Sequence, residues 1–203
     1  MADATSTTSP PAKPAESATP LSNLHQPQRF ITTHNDSGKA IVHSHSPFMW
    51  SAYDDRNLAF AVPYTTSTFP PDLNNDADIA AHEGVTASGK LGLVNPHGTV
   101  LRCVDFAPGY ACGMHRTQSL DYGIVMEGTV DMVLDSGECH TLRRGDVAVQ
   151  RATQHQWVNR SETEWVRMMF VLQDCKRLVV AGEEMGEDLG ENSGLPPSGN
   201  SGA

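Results

Sequence analysis

Between Thr99 and Leu172 the chain is cut into short apolar runs by glycine-bearing turns, and that rhythm admits few folds. Thr99 to Phe106 runs into Ala107-Pro108-Gly109, and Leu120 to Met126 alternates before breaking at Glu127-Gly128. Val130, Met132 and Leu134 share one face and stop at Asp135-Ser136-Gly137. Cys139 to Leu142 returns and breaks at Arg143-Arg144-Gly145-Asp146, and Val147, Val149, Trp157-Val158 and Val166 to Leu172 follow. Runs this short, alternating with period two and closed by turn residues, predict an all-β domain with a closed or sandwiched antiparallel sheet.

Upstream, Arg29 to His34 and Ala40 to His43 flank Asn35-Asp36-Ser37-Gly38, a hairpin signal, and Leu58 to Tyr64 is a further apolar run. Pro70 to Lys90 is polar and acidic and reads as a loop with one helical turn near Asp78 to His82. The first 24 residues are Ala-, Ser-, Thr- and Pro-rich and read as a disordered tail, as does the stretch 189–203. Between these tails lie an N-terminal arm with the acidic loop (28–95), a barrel (98–175) and a C-terminal strand or turn (176–188).

A net charge of −10 argues against a nucleic-acid partner, since a polyanion is repelled. No apolar stretch approaches the roughly twenty residues that span a bilayer, so no membrane association is expected. MADATSTTSPPAKPAES carries neither an apolar core nor arginines, so the cytoplasm is the expected compartment. Cys103, Cys112, Cys139 and Cys175 form no CxxC pair and read as free, mostly buried thiols.

The chemistry-bearing residues fall in two patches, 109–128 and 145–159. Side chains alternate along a strand, so His115, Thr117 and Asp121 can face one barrel interior while His155 closes it from another strand. Two imidazoles and a carboxylate are the donor set of a facial-triad metal site. Arg102, on a core strand, must find a partner, either a substrate carboxylate or enolate or a structural ion pair. Asp121 is a ligand, a general base, or a carboxylate paired with Arg102 or Arg116. Tyr122 and Trp157 belong to the barrel wall and, with Arg102 and Thr117, are the substrate-contacting candidates. His25, His34, His43, His45, His82 and His140 read as surface or arm residues, and His97 as a loop cap.

The patches resemble the cupin superfamily, whose first motif has a Gly, a His-x-His, a carboxylate and a second Gly. Gly109, His115, Asp121 and Gly128 stand at those places, and Gly145-Asp146, His155 and Asn159 answer the second motif. Thr117 replaces the second His, Asp121 the usual Glu, Gln150 a Pro and Ala152 a turn Gly. The resemblance implies a double-stranded β-helix, or jelly-roll barrel, with an N-terminal β arm and disordered termini. It also implies a divalent transition metal (iron, manganese, nickel or zinc) on His115, His155 and Asp121, the same three residues being the catalytic candidates. Thr117 leaves a metal-free site open. More narrowly, MHRTQSLDYGIVMEG, GDVAVQRATQHQWVN and GLVNPHGTVLRCVDFAPG resemble the small fungal cupin-domain proteins encoded beside polyketide synthases, including those of salicylaldehyde-type pathways. That resemblance implies an oxidoreductase, or a dehydration and aromatisation step, on a polyketide-derived carbonyl or phenolic compound, in a homodimer to which residues 28 to 64 supply an exchanged strand. The alternatives are a metal-free module that binds a small molecule for partner enzymes and, last, a sugar or small-acid isomerase.

Overall fold

The computed structural model describes residues 14–190 and 194–200. Strands dominate. The N-terminal part holds β1 (Glu16–Ser17), the hairpin β2 (Gln28–His34) and β3 (Ala40–Pro47), then β4 (Trp50–Tyr53) and β5 (Leu58–Thr66). After the helix α1 (Ala77–Ala87) come β6 (Thr99–Phe106), β7 (Ser119–Glu127), β8 (Thr129–Leu134) and β9 (Cys139–Arg143). The chain continues through β10 (Val147–Arg151), β11 (His155–Val158) and β12 (Val166–Asp174) to a small ribbon, β13 (Leu178–Val180) and β14 (Glu183–Met185). A seven-stranded sheet in the order β1-β4-β5-β6-β12-β7-β10 faces a three-stranded sheet in the order β11-β8-β9.

Period-two alternation gives the large sheet two faces. Even residues of β6 (Val100, Val104, Phe106) and of β12 (Val166, Met168, Phe170, Leu172) look into the barrel and meet Trp157, Val130 and Leu142 from the small sheet. Odd residues look to the back, where Cys103 joins Ala59, Ala61, Phe48 and Trp50 in a second core. The turn at Gly128 requires its glycine: φ is +80°, and a Cβ there would lie 2.9 Å from Val166 Cγ2 and 3.0 Å from the Trp165 carbonyl.

The back face carries a buried ion pair with two-point contact. Arg167 and Asp105 are 4% and 0% exposed. Arg167 donates from Nε and Nη2 to the two Asp105 oxygens at 2.6 Å each, and the Ser22 hydroxyl donates to the same carboxylate at 2.5 Å. Arg167 also donates to the His25 carbonyl and lies 4.9 Å from the centre of the Trp50 ring. The segment around residues 22–25 is thereby fastened across the sheet.

Several expectations change here. The acidic stretch contains an eleven-residue helix, not one turn, because α1 has a face to bury: Ile79 and His82 pack inward. His82, expected at the surface, is 4% exposed; Thr65 and Arg29 meet its ring nitrogens, and the Tyr64 ring lies 4.6 Å away. The two expected tails are shorter at their inner ends. Glu16–Ser17 pairs with β4, and Ser198 and Asn200 are buried. The remainder of both tails (1–13, 191–193 and 201–203) lies outside the described residues. Cys103 and Cys112 are buried, Cys139 is exposed, and no disulfide forms among the described residues. Among the same residues no helix is long and apolar enough to cross a membrane.

Removing one partner of the back-face pair leaves a desolvated charge. Asp105→Ala is expected to lower unfolding stability by about 3–5 kcal/mol, measured by chemical denaturation. Glu138→Ala, on an exposed turn, should stay within about 0.5 kcal/mol of the parent.

Candidate active site

The barrel interior is a cavity of about 460 Å³, a volume in the range of small-molecule sites. His115, Thr117, Asp121, His155, Arg102 and Trp157 all line it. Its remaining wall is apolar, with Leu58, Phe60, Val104, Phe106, Phe170 and Leu172 among its members.

The two histidines meet through the backbone. His115 N–H donates to the His155 carbonyl and His155 N–H to the His115 carbonyl, both at 2.9 Å. This narrow pair brings the imidazole centres to 4.4 Å. Each ring is oriented the same way: His115 Nδ1 lies 2.9 Å from the Gly113 carbonyl, and His155 Nδ1 lies 2.9 Å from the Thr153 carbonyl. A carbonyl only accepts, so each Nδ1 carries the proton and each Nε2 carries the lone pair. Neither Nε2 has a protein partner among the described residues. Burial lowers the pKa of both rings. For His155 the value falls to about 4, with the neighbouring His115 as the second cause. Both rings are therefore neutral bases near pH 7.

Asp121 projects inward from β7 and is 4% exposed. Ser119 Oγ approaches its Oδ1 at 2.5 Å and Thr117 Oγ1 its Oδ2 at 3.2 Å, while the two hydroxyl oxygens lie 2.8 Å apart. Three oxygen–oxygen contacts need three protons, and two hydroxyls supply two. The ring closes when the carboxyl holds the third. Burial raises the Asp121 pKa to about 6, against the lowering effect of the two hydroxyls.

The second-motif Asn159 is a fastener. Its Nδ2 donates to the carbonyls of Phe106, Ala107 and Glu164 at 3.2, 3.0 and 2.8 Å, tying the end of β6 to the segment that enters β12. Ala152, where the family usually has glycine, holds a φ of +52° in the turn leading to His155, a conformation that costs an L-residue about 1 kcal/mol.

Three sequence expectations are corrected. Tyr122 does not line the cavity; it is 40% exposed on the outer face of β7, because Asp121 and Gly123 take the inward positions. Asp121 has no arginine partner: Arg116 donates to the Gly186 carbonyl, and Arg102 forms no ion pair among the described residues. The metal cage lacks its third donor. Among the described residues no three His, Cys, Asp or Glu side chains gather as a metal-holding group. Thr117 offers a neutral hydroxyl, and each Asp121 oxygen is turned to a hydroxyl, Oδ1 to Ser119 and Oδ2 to Thr117. This donor set does not fit the implied metal.

The structure also adds lining residues that the sequence did not single out. Tyr110 donates its hydroxyl to Asp54 beside the cavity, and Leu189 and Leu195 line it from the C-terminal segment. The signal for the leucines was faint: Leu195 is the sole large apolar side chain in an otherwise small and polar stretch.

The Cupin domain pattern matches residues 102–172. Phomopsin biosynthesis cluster protein D of Diaporthe leptostromiformis is 44% identical over 167 residues, 80% of this chain and 86% of that protein. Oryzines biosynthesis cluster protein J of Aspergillus oryzae is 36% identical, covering 85% and 96%. The cupin-domain-containing oxidoreductase fogC of Aspergillus ruber is 37% identical, covering 84% of each. This chain belongs to the cupin family. Its relatives include fungal biosynthesis cluster proteins and cupin-domain-containing oxidoreductases, and its barrel retains the family's motif frame while departing from it at position 117.

That departure is testable. Thr117→His places an imidazole two residues from His115 at another position lining the cavity, and is expected to bind zinc or nickel about tenfold or more tightly than the parent. Competition with a chromophoric chelator measures this. Unchanged affinity would show that position 117 cannot be aimed at the histidine pair.

Proposed function

We propose that this cupin is a tailoring enzyme of fungal secondary metabolism that removes water from a polyketide-derived β-hydroxy carbonyl compound by acid–base chemistry. The observation that carries the reading is a reversed proton order. Free aspartate is the stronger acid and free histidine the stronger base, yet in this cavity Asp121 titrates at about 6 and His155 at about 4. Between those values the acid keeps its proton and the base keeps its lone pair, so both groups rest in reactive form.

The step balances without an oxidant. His155 Nε2 takes the α-proton, and the electron pair of that C–H bond becomes the new C=C bond as the β C–O bond breaks. Asp121 gives its proton to the departing hydroxyl, which leaves as water. Proton transfer from the His155 imidazolium to the Asp121 carboxylate, through water, restores the start. His115 Nε2 is a second acceptor for the substrate oxygen's hydrogen bonds through water, and the aromatic wall of Trp157 and Phe170 excludes bulk solvent from the reacting carbon.

The oxidoreductase name borne by relatives such as fogC favours a redox reading, which needs an electron acceptor beyond these side chains. The carrier reading keeps the same cavity without turnover. The homodimer stays part of this proposal. Its support is the β2–β3 ribbon, which pairs as a two-stranded sheet and exposes Phe30, Ile41 and Val42, since such a ribbon is marginal alone.

Exchange of the α-proton of a β-hydroxy ketone in D₂O, followed by NMR, isolates the first step. Parent protein should accelerate exchange, and His155→Ala should reduce that acceleration by about 10²–10⁴-fold. The dehydration rate should be level between about pH 4 and about pH 6. Below that window it falls as His155 gains a proton, and above it as Asp121 loses one. Asp121→Asn should lower the rate and remove the alkaline limb. No exchange by the parent protein would sink the enzyme reading and leave the carrier.

A further inference from the structure

One buried charge in the barrel is not used by this chemistry. Arg102 is 5% exposed and lines the cavity from β6. Its Nη2 donates to the Gly92 carbonyl at 2.7 Å, its Nε is buried without a partner, and no carboxylate meets it among the described residues. The guanidinium stands 5.0 Å from the centre of the Phe60 ring. It sits where the β5–β6 ladder loses register: Ala61 pairs with Cys103 and Tyr64 with Leu101, so Arg102 faces the irregularity between them. Such irregularities re-aim side chains beside functional sites.

The other buried arginine of this sheet shows what the fold does when an arginine is structural. Arg167, facing the back, is held by both oxygens of Asp105, by contacts with Ser22 and by the His25 carbonyl. Arg102, facing the cavity, donates to one carbonyl, and its buried Nε–H is unspent. Burial lowers its pKa to about 10, so it remains charged near neutrality. A buried, unpaired guanidinium is unfavourable in the free protein and attracts an anion strongly in a low-dielectric, apolar-walled cavity.

We propose that Arg102 is the anion-binding residue of the barrel and that the ligand is an apolar organic acid, held by its carboxylate at Arg102 with its reacting carbon toward His115 and His155. This rests on the reading of the barrel as a reaction site given above. The wall between the two ends is aromatic: His155 meets Trp157 edge-on at 5.7 Å, Trp157 meets Phe170 edge-on at 5.7 Å, and Phe170 is the β12 register partner of Arg102. A ligand with a charged end, an apolar body and a reactive end matches that sequence of surfaces, and Asp121, turned to Ser119 and Thr117, does not compete for the guanidinium.

Calorimetric titration with 3-phenylpropanoate and with its uncharged amide tests the assignment. The acid should bind the parent protein about ten- to a hundredfold more tightly than the amide, and Arg102→Gln should reduce acid affinity to the amide's level. Arg102→Met should melt at a higher temperature than the parent without ligand, since an unpaired buried cation is gone, and should lose the rise in melting temperature that the acid confers. Equal affinities in the parent, no binding of either probe, or a preference that survives Arg102→Gln would each overturn the site. Measuring binding and exchange side by side on the parent protein separates the two readings. Intact acid preference alongside absent α-proton exchange in the parent defeats the acid–base reaction alone, whereas intact exchange with no preference defeats the anion site alone.

Discussion

The paired main-chain hydrogen bonds between His115 and His155 are what the site depends on. They join two stretches that lie far apart in sequence and close the barrel at that edge. Because the bonds are reciprocal, both rings leave the backbone at one level, and because each Nδ1 is held by the carbonyl two residues earlier, neither ring is free to flip. Two lone pairs then face a cavity whose wall is largely apolar. Neighbouring bonds extend the pairing, with Cys112 N–H on the Trp157 carbonyl and Asn159 N–H on the Tyr110 carbonyl. Asn159 repeats the logic with its side chain, donating to the carbonyls of Phe106, Ala107 and Glu164.

The same sheet treats charge in opposite ways on its two faces. The back buries Arg167 and Asp105 together, and that face closes into ordinary core. The front buries Arg102 beside the Gly92 carbonyl and Asp121 beside two hydroxyls, and across the cavity two imidazoles keep lone pairs that meet no protein partner among the described residues. Local rules of polar satisfaction are thus obeyed where the sheet is scaffold and relaxed where it borders the cavity, the pattern expected when stability is exchanged for function.

How much of this could be read from the sequence follows from the range of the interactions involved. The inward parity of Thr117 and Asp121 is local, a matter of counting along one strand, and it reads directly; so does the placement of His155 by its motif. Tyr122 fails the same count, since a residue adjacent to Asp121 must face outward. Helix α1 was harder, because its apolar content is modest and its helical state depends on β5 receiving Ile79 and His82, contacts that no window of sequence contains. The chain ends were hardest. Ser22, Leu195 and Asn200 lie in small, polar stretches that resemble disordered tails. They are ordered by partners distant in sequence: Ser22 by Asp105, and Asn200 by Gln118 and Asp174. Composition reports what a segment can bury alone, not what a barrel offers it.

Position 117 links the geometry to the chemistry. A third nitrogen donor there would favour a cation in the cavity, and a cation would hold Asp121 ionised and compete with any proton for the imidazole lone pairs. With threonine in its place, burial acts on the acid and the base without that opposing charge. Desolvation disfavours the carboxylate and the imidazolium alike, so it moves Asp121 up and His155 down. The threonine hydroxyl donates to Asp121 Oδ2 and, with Ser119, draws the pKa back down, so the rise to about 6 is what burial leaves after that opposing effect. One substitution therefore withholds a nitrogen donor from the cage and sets a hydroxyl against the Asp121 carboxyl, and the acid–base pair proposed for this cavity rests on burial outweighing that hydroxyl.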